Sequence, residues 1–145
     1  MEGQQYTIVI DRPVADVFAY MDDVHREREW QPNLREAEQT PPGPTAVGTQ
    51  KRYVSDFMGK RVENTYEVVE LEAGRRVVYK TTRGSSIDAT SEVRCEPVGG
   101  GTRVTMFVQG KPAGVLRFVP KKVMEKVYQA ELAASLDRLK ARLEA

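Results

Sequence analysis

At 145 residues, with 40% apolar and 30% charged side chains and 22 basic against 21 acidic residues, the chain has ordinary globular proportions and no net field to hold DNA, RNA or an anionic membrane. Its one cysteine, Cys95, excludes an internal disulfide and any multi-cysteine zinc site. The opening MEGQQYTIVIDRP shows no basic leader before an apolar run, and no stretch reaches the ~18–20 apolar residues of a membrane span, so a cytoplasmic protein with no membrane span is expected, residues 1–145 forming one domain.

Tyr6–Ile10 is β-branched and short, which predicts a first strand. Asp11 or Arg12 then sits near a cap position and Pro13 fits a first helical turn. Val14, Val17, Phe18 and Met21 recur at helical spacing, and Asp22–Glu29 reads as a second short helix stopped by Pro32. Leu34–Glu38 is a candidate strand, followed by a stiff loop at Pro41, Pro42, Gly43 and Pro44.

From Val47 onward the pattern is strand after strand: Gln50–Phe57, Arg61–Leu71, Arg76–Arg83, Ser86–Glu96 and Thr102–Gly110. The separators are short and glycine-bearing, which is hairpin chemistry and predicts an antiparallel meander. Pro112 and Gly114 end the sheet. A helical stripe of Val123, Met124, Val127, Tyr128, Leu132, Leu136, Leu139 and Leu143 then runs to the C-terminus, with Pro120 either opening the long helix or kinking it.

This order, with IDRPVADVFAYMDDVHREREWQPN after the first strand, Val47-Gly48-Thr49 opening a strand, Gly100-Gly101-Thr102-Arg103-Val104-Thr105 at the last hairpin and LDRLKARLEA closing the helix, resembles the helix-grip superfamily. That superfamily includes the birch pollen allergen, the START lipid-transfer domains and the bacterial polyketide cyclase/dehydrase (SRPBCC) family. The resemblance covers essentially the whole chain. It implies an α+β helix-grip fold: a curved antiparallel sheet of about six or seven strands wrapped around a long C-terminal helix, with two short helices after the first strand. It also implies a ligand cavity between sheet and helix.

Strand parity names the inward side chains. Val62, Asn64, Tyr66 and Val68 share one face. Val77, Tyr79 and Thr81 follow, then Ile87, Ala89, Ser91, Val93 and Cys95, then Val104, Met106 and Val108, with Tyr53, Ser55 and Phe57 from the preceding strand. A dry core would leave several of these polar atoms unpartnered at ~1–3 kcal/mol each, whereas apolar walls with a few polar groups suit a small-molecule pocket. The candidate ligand-contacting residues are Trp30, Tyr53, Phe57, Asn64, Tyr66, Tyr79, Met106, Met124 and Tyr128. Trp30, the only tryptophan, is expected to plug the closed end beneath the long helix, to touch ligand, or both. The charges around it are expected to be the solvated side of its helix.

His25 is read as a surface residue, against the alternative of an acid–base group beside Asp22, Asp23 and Glu29. Cys95 is read as a small buried apolar residue. Glu131 and Ser135, on the edge of the helical stripe, either project into the pocket as anchors or meet water on the flank. Lys51, Arg52, Arg117, Lys121 and Lys122 either cluster at the mouth or are solvated surface. No phosphate cradle, nucleophile elbow or metal-ligand set is present in the sequence, so no cofactor and no metal are expected. The expected function is binding of a small hydrophobic or amphipathic molecule, lipid- or polyketide-like, with a polyketide cyclase/dehydrase-like enzyme as the alternative. A protein-partner module is the third reading, resting on Phe107 with Val54 as an exposed apolar pair.

Overall fold

The computed structural model describes residues 3–145, which contain seven strands and three α-helices. The strands are β1 (Gln4–Ile10), β2 (Leu34–Thr40), β3 (Gln50–Phe57), β4 (Lys60–Glu72), β5 (Arg76–Thr81), β6 (Ile87–Val98) and β7 (Gly101–Pro112). The helices are α1 (Val14–Asp22), α2 (Glu27–Trp30) and α3 (Lys121–Glu144), with single 3-10 turns at Val24–Arg26 and Gly114–Leu116. All seven strands lie in one antiparallel sheet ordered β1-β7-β6-β5-β4-β3-β2. The helix-grip fold and its antiparallel meander are therefore present, with β2 as a full strand.

Local chemistry explains the main joints. Phe57 pairs with Lys60 across a two-residue turn in which Met58 (φ 53°) and Gly59 (φ 77°) both take the left-handed conformation, the backbone that matches the twist of a tight hairpin. In β4 a bulge between Val68 and Glu70 shifts the register against β5. Parity reverses there, so that Val68 is buried, Val69 is exposed and Leu71 packs against the core. Pro120 precedes α3 and its carbonyl accepts the first helical bond, from Met124 N at 3.1 Å, so it opens the helix and does not kink it.

Several expected boundaries move. Asp22 closes α1, and the second helical segment is a 3-10 turn running into α2, whose last residue is Trp30. Pro13 stands just before α1, not inside its first turn. β5 stops at Thr81, because the Thr81 hydroxyl replaces the next ladder bond by accepting Ala89 N at 2.9 Å. β7 continues to Pro112, the partner of Ile87 at the end of the ladder, where a missing N–H costs least.

Strands β1 and β2 form the two edges of the sheet. The β1 edge is covered by α3: Gln129 and Lys140 donate to the Gln5 and Val9 carbonyls at 3.2 and 2.7 Å, and Tyr6 OH donates to Asp137. A strand edge that would otherwise invite another chain is thereby closed. Leu136 and Leu139 of α3 join Ile10, Val17, Phe18, Trp30, Val68 and Val104 in the larger core cluster. A smaller cluster of Phe57, Val62, Leu116 and Met124 lies apart from it. Val123, expected in the apolar stripe, is 38% exposed.

Candidate functional site

Between the concave face of the sheet and α3 is a cavity of about 200 Å³. Strands β3 to β7 supply Tyr53, Ser55, Phe57, Val62, Asn64, Tyr66, Val77, Tyr79, Ile87, Ser91, Val93, Met106 and Val108 to its wall, as the two-residue period of each strand dictates. Helix α3 adds Tyr128, Glu131, Leu132 and Ser135, and α1 and α2 add Phe18, Met21, Asp22, Glu27 and Trp30. Tyr66 meets Tyr53 and Tyr79 edge-on, with ring centroids 5.8 and 6.2 Å apart, and Phe57 meets Tyr128 at 5.6 Å. Burial pushes the Tyr66 phenol up to about 12 and holds that of Tyr128 well above the ordinary range.

One end of the cavity is built from charge. Lys51, fully buried, donates to the Asp22 carbonyl at 2.9 Å, to Asp22 Oδ1 at 3.1 Å and to Tyr79 OH at 3.3 Å. Its three N–H groups thus have three acceptors. Burial alone would lower the Lys51 pKa, but Tyr79, Glu27 and Asp22 more than offset it and the ammonium is stabilised. Glu27, 3% exposed, stands 4.0 Å from Lys51 Nζ. Tyr53 OH donates to Glu27 Oε1 at 2.6 Å, and Gln31 Nε2 donates to Oε2. Desolvation pushes the Glu27 carboxyl up to about 7, against the lowering pull of Lys51 and Tyr53.

Trp30 is 2% exposed and lines the cavity, and its Nε1 is a buried polar atom without a hydrogen-bond partner among the described residues. Tyr53, Phe57, Asn64, Tyr66, Tyr79, Met106 and Tyr128 lie on the same wall. Met124 does not: it is 3% exposed in the smaller core cluster and lines a neighbouring hollow of about 160 Å³ with Val108, Val119 and Tyr128. Asn64 has part of its capacity committed, because Oδ1 accepts Ile87 N at 3.1 Å where β6 begins.

Other expectations are corrected by burial. The charges beside Trp30 are not uniformly solvated, since Glu27 points inward. The signal was present: Val24, Glu27 and Trp30 are three apart on one helical face, and all three are buried. Lys51 is not surface either, and it shares strand parity with Tyr53, Ser55 and Phe57. Arg52, one residue on, faces out and pairs with Glu38 and Glu63, while Arg117, Lys121 and Lys122 are exposed. Glu131 and Ser135 both reach the cavity, with burial raising the Glu131 pKa. His25 is exposed and outside the wall. Cys95 is buried, and burial pushes its thiol up to about 12. Val54 is 5% exposed and Phe107 half-buried, so the apolar pair behind the protein-partner reading is not an exposed patch.

Residues 3–144 match the family model described as polyketide cyclase / dehydrase and lipid transport. The chain belongs to that family. Solved structures show the same fold across nearly the whole length of this chain. TTHA0849 from Thermus thermophilus superposes with a TM-score of 0.82 at 19% identity, covering 98% of this chain and 97% of the other. A START superfamily protein from Mycobacterium smegmatis gives 0.81 at 14%, covering 98% and 97%. The Zhui aromatase/cyclase from Streptomyces sp. R1128 gives 0.78 at 16%, covering 99% and 93%. No curated protein matches the sequence. Among the described residues no helix is long and apolar enough to cross a membrane.

Proposed function

We propose that this chain binds a small, largely apolar molecule carrying a polar group, held between the sheet and α3. The reading is carried by the cavity: a hollow of about 200 Å³ with aromatic walls and a few polar side chains. An apolar hole of ~150 Å³ admits benzene, and drug-sized sites run to ~300–1,000 Å³. The guest that fits this volume is therefore a one- or two-ring compound or a short acyl chain. A buried ring system removes ~150–250 Å² from water, about 4–6 kcal/mol at ~25 cal/mol per Å², before the entropic costs of association.

Tyr53, Tyr66, Tyr79 and Asn64 orient this guest from the sheet, and Trp30 packs against it. The family's description as polyketide cyclase / dehydrase and lipid transport supports a guest of this character. Two measurements test the reading. Native mass spectrometry of protein from its own host should find a small-molecule adduct. Because Trp30 is the only tryptophan and lines the cavity, titration with naphthol should change its fluorescence saturably. No adduct together with an unresponsive Trp30 would overturn the proposal.

A second reading, an enzyme of the cyclase type, is favoured by one observation: the buried carboxylate of Glu27 on the cavity wall.

A further inference from the structure

We propose that Glu27 is a general base inside the cavity that removes a proton from carbon on a small aromatic guest. The assignment rests on the binding reading above and adds a reaction to it.

Position comes first. Glu27 lines the cavity at 3% exposure, so a guest meets its carboxylate with little competing water. Tyr53 and Gln31 each donate to a different carboxylate oxygen, which fixes the plane of the group and leaves lone pairs on both oxygens. Trp30 follows three residues later on the same helical face and lines the same cavity, so its ring reports a guest that reaches Glu27.

The groups around Glu27 leave it as the base. Lys51 of β3 is committed to Asp22 of α1 and Tyr79 of β5 and is held protonated. The phenols of Tyr53, Tyr66 and Tyr79 are all raised and stay protonated at neutral pH. Asp22 is the salt-bridge partner of Lys51, and Asp23 beyond it accepts from His25 N. Glu131 of α3 is the remaining carboxylate on the wall. With its carboxyl pushed up to about 7, Glu27 is substantially ionised at neutral pH yet more basic than an ordinary carboxylate, the condition a general base needs.

The substrate class is a carbon acid whose electron pair can be delivered to oxygen: a C–H beside a carbonyl, or the C–H on the carbon of a C=N–O unit. The C–H bond breaks, its electron pair becomes a new π bond, the displaced pair moves onto oxygen, and the proton resides on Glu27 until it is returned to oxygen or carbon. No oxidant, reductant or second substrate enters.

A nitrobenzisoxazole is a suitable probe, because it has two fused rings and reports this step by colour. Loss of its ring C–H proton forms the nitrile and breaks the N–O bond, leaving a coloured phenolate. Saturable turnover is expected, with a rate that rises through a single ionisation near pH 7 and then levels off. Glu27→Gln should lower the rate by about a hundredfold or more while the probe still quenches Trp30. Three results would overturn the assignment: equal rates in wild type and Glu27→Gln, loss of rate only in Glu131→Gln, or a rate already level by pH 5. If Glu27→Gln does not fold, Glu131→Gln decides: an unchanged rate and pH profile in that variant support Glu27, and loss of the rate overturns the assignment. Failure of the probe to quench Trp30 counts against the binding reading and this assignment together; quenching without turnover counts against the base alone.

Discussion

On the convex face of the sheet Arg52 pairs with Glu38 and Glu63 at 3.1 and 2.7 Å, and Arg76 with Glu70 at 2.9 Å and with Glu92. On the concave face Lys51 meets Asp22 and Glu27 at 3.1 and 4.0 Å. The distances are alike, yet the surroundings are not: the Arg52 side chain is 36% exposed and that of Lys51 is 0%. Water stands ready to replace any partner lost from the outer ladder, so each of its pairs contributes little. Inside, every ammonium proton needs a protein acceptor, and an unpaired carboxylate must instead hold a proton. Burial is the main reason the Glu27 carboxyl is pushed up to about 7: desolvation outweighs the lowering pull of Lys51 and Tyr53, and the second carboxylate, Asp22, adds a smaller upward push.

The contrast is broken most directly by Lys51→Ala. Leaving Asp22 and Glu27 without their cation should cost about 3–5 kcal/mol, read as a large drop in the denaturant midpoint; a loss comparable to that of Arg52→Gln would erase the distinction between the faces.

The next effect is a pH dependence. The folded-state pKa of Glu27 lies above its ordinary value of 4.5, at about 7, so the folded state holds the proton more tightly than the unfolded chain. Its contribution to stability is therefore fully present below pH 4.5 and is lost as pH rises through about 7. This amounts to about 3 kcal/mol. Unfolding curves at several pH values should show that slope in wild type and its absence in Glu27→Gln.

Asn64→Ala sharpens the picture at intermediate size. Ile87 N–H loses its acceptor at the start of β6, for about 1–3 kcal/mol, with faster amide exchange at Ile87 as the local signature. Smallest of all, Arg52→Gln should give an unfolding curve that overlays that of wild type, because its partners remain hydrated.

Much of the architecture was legible because it depends on local rules. Alternation in β3 to β7 identified Tyr53, Asn64, Tyr66, Tyr79 and Met106 as inward, and each lies on the cavity wall. Glycine separators marked the hairpins, and the periodic leucines marked α3. Legibility failed where a charged residue was assigned to water by its type. Lys51 and Glu27 both sit at inward positions of their elements, but a buried charge is tolerable only when its partners arrive, and Asp22 and Tyr79 reach Lys51, and Tyr53 reaches Glu27, from 26 to 29 residues away. Met124 failed for a different reason: one turn of α3 separates the wall residue Tyr128 from a side chain that packs into the smaller cluster beside it.

The amino-acid order by itself determined the succession of elements, the inward face of each strand and the mixed lining those faces present, because period, turn chemistry and side-chain polarity act over a few residues. Only the tertiary structure decided that Asp22, Glu27 and Lys51 meet beside the cavity and that the Trp30 N–H is buried without a partner among the described residues, because desolvation and ion pairing depend on which groups distant segments bring within about 4 Å.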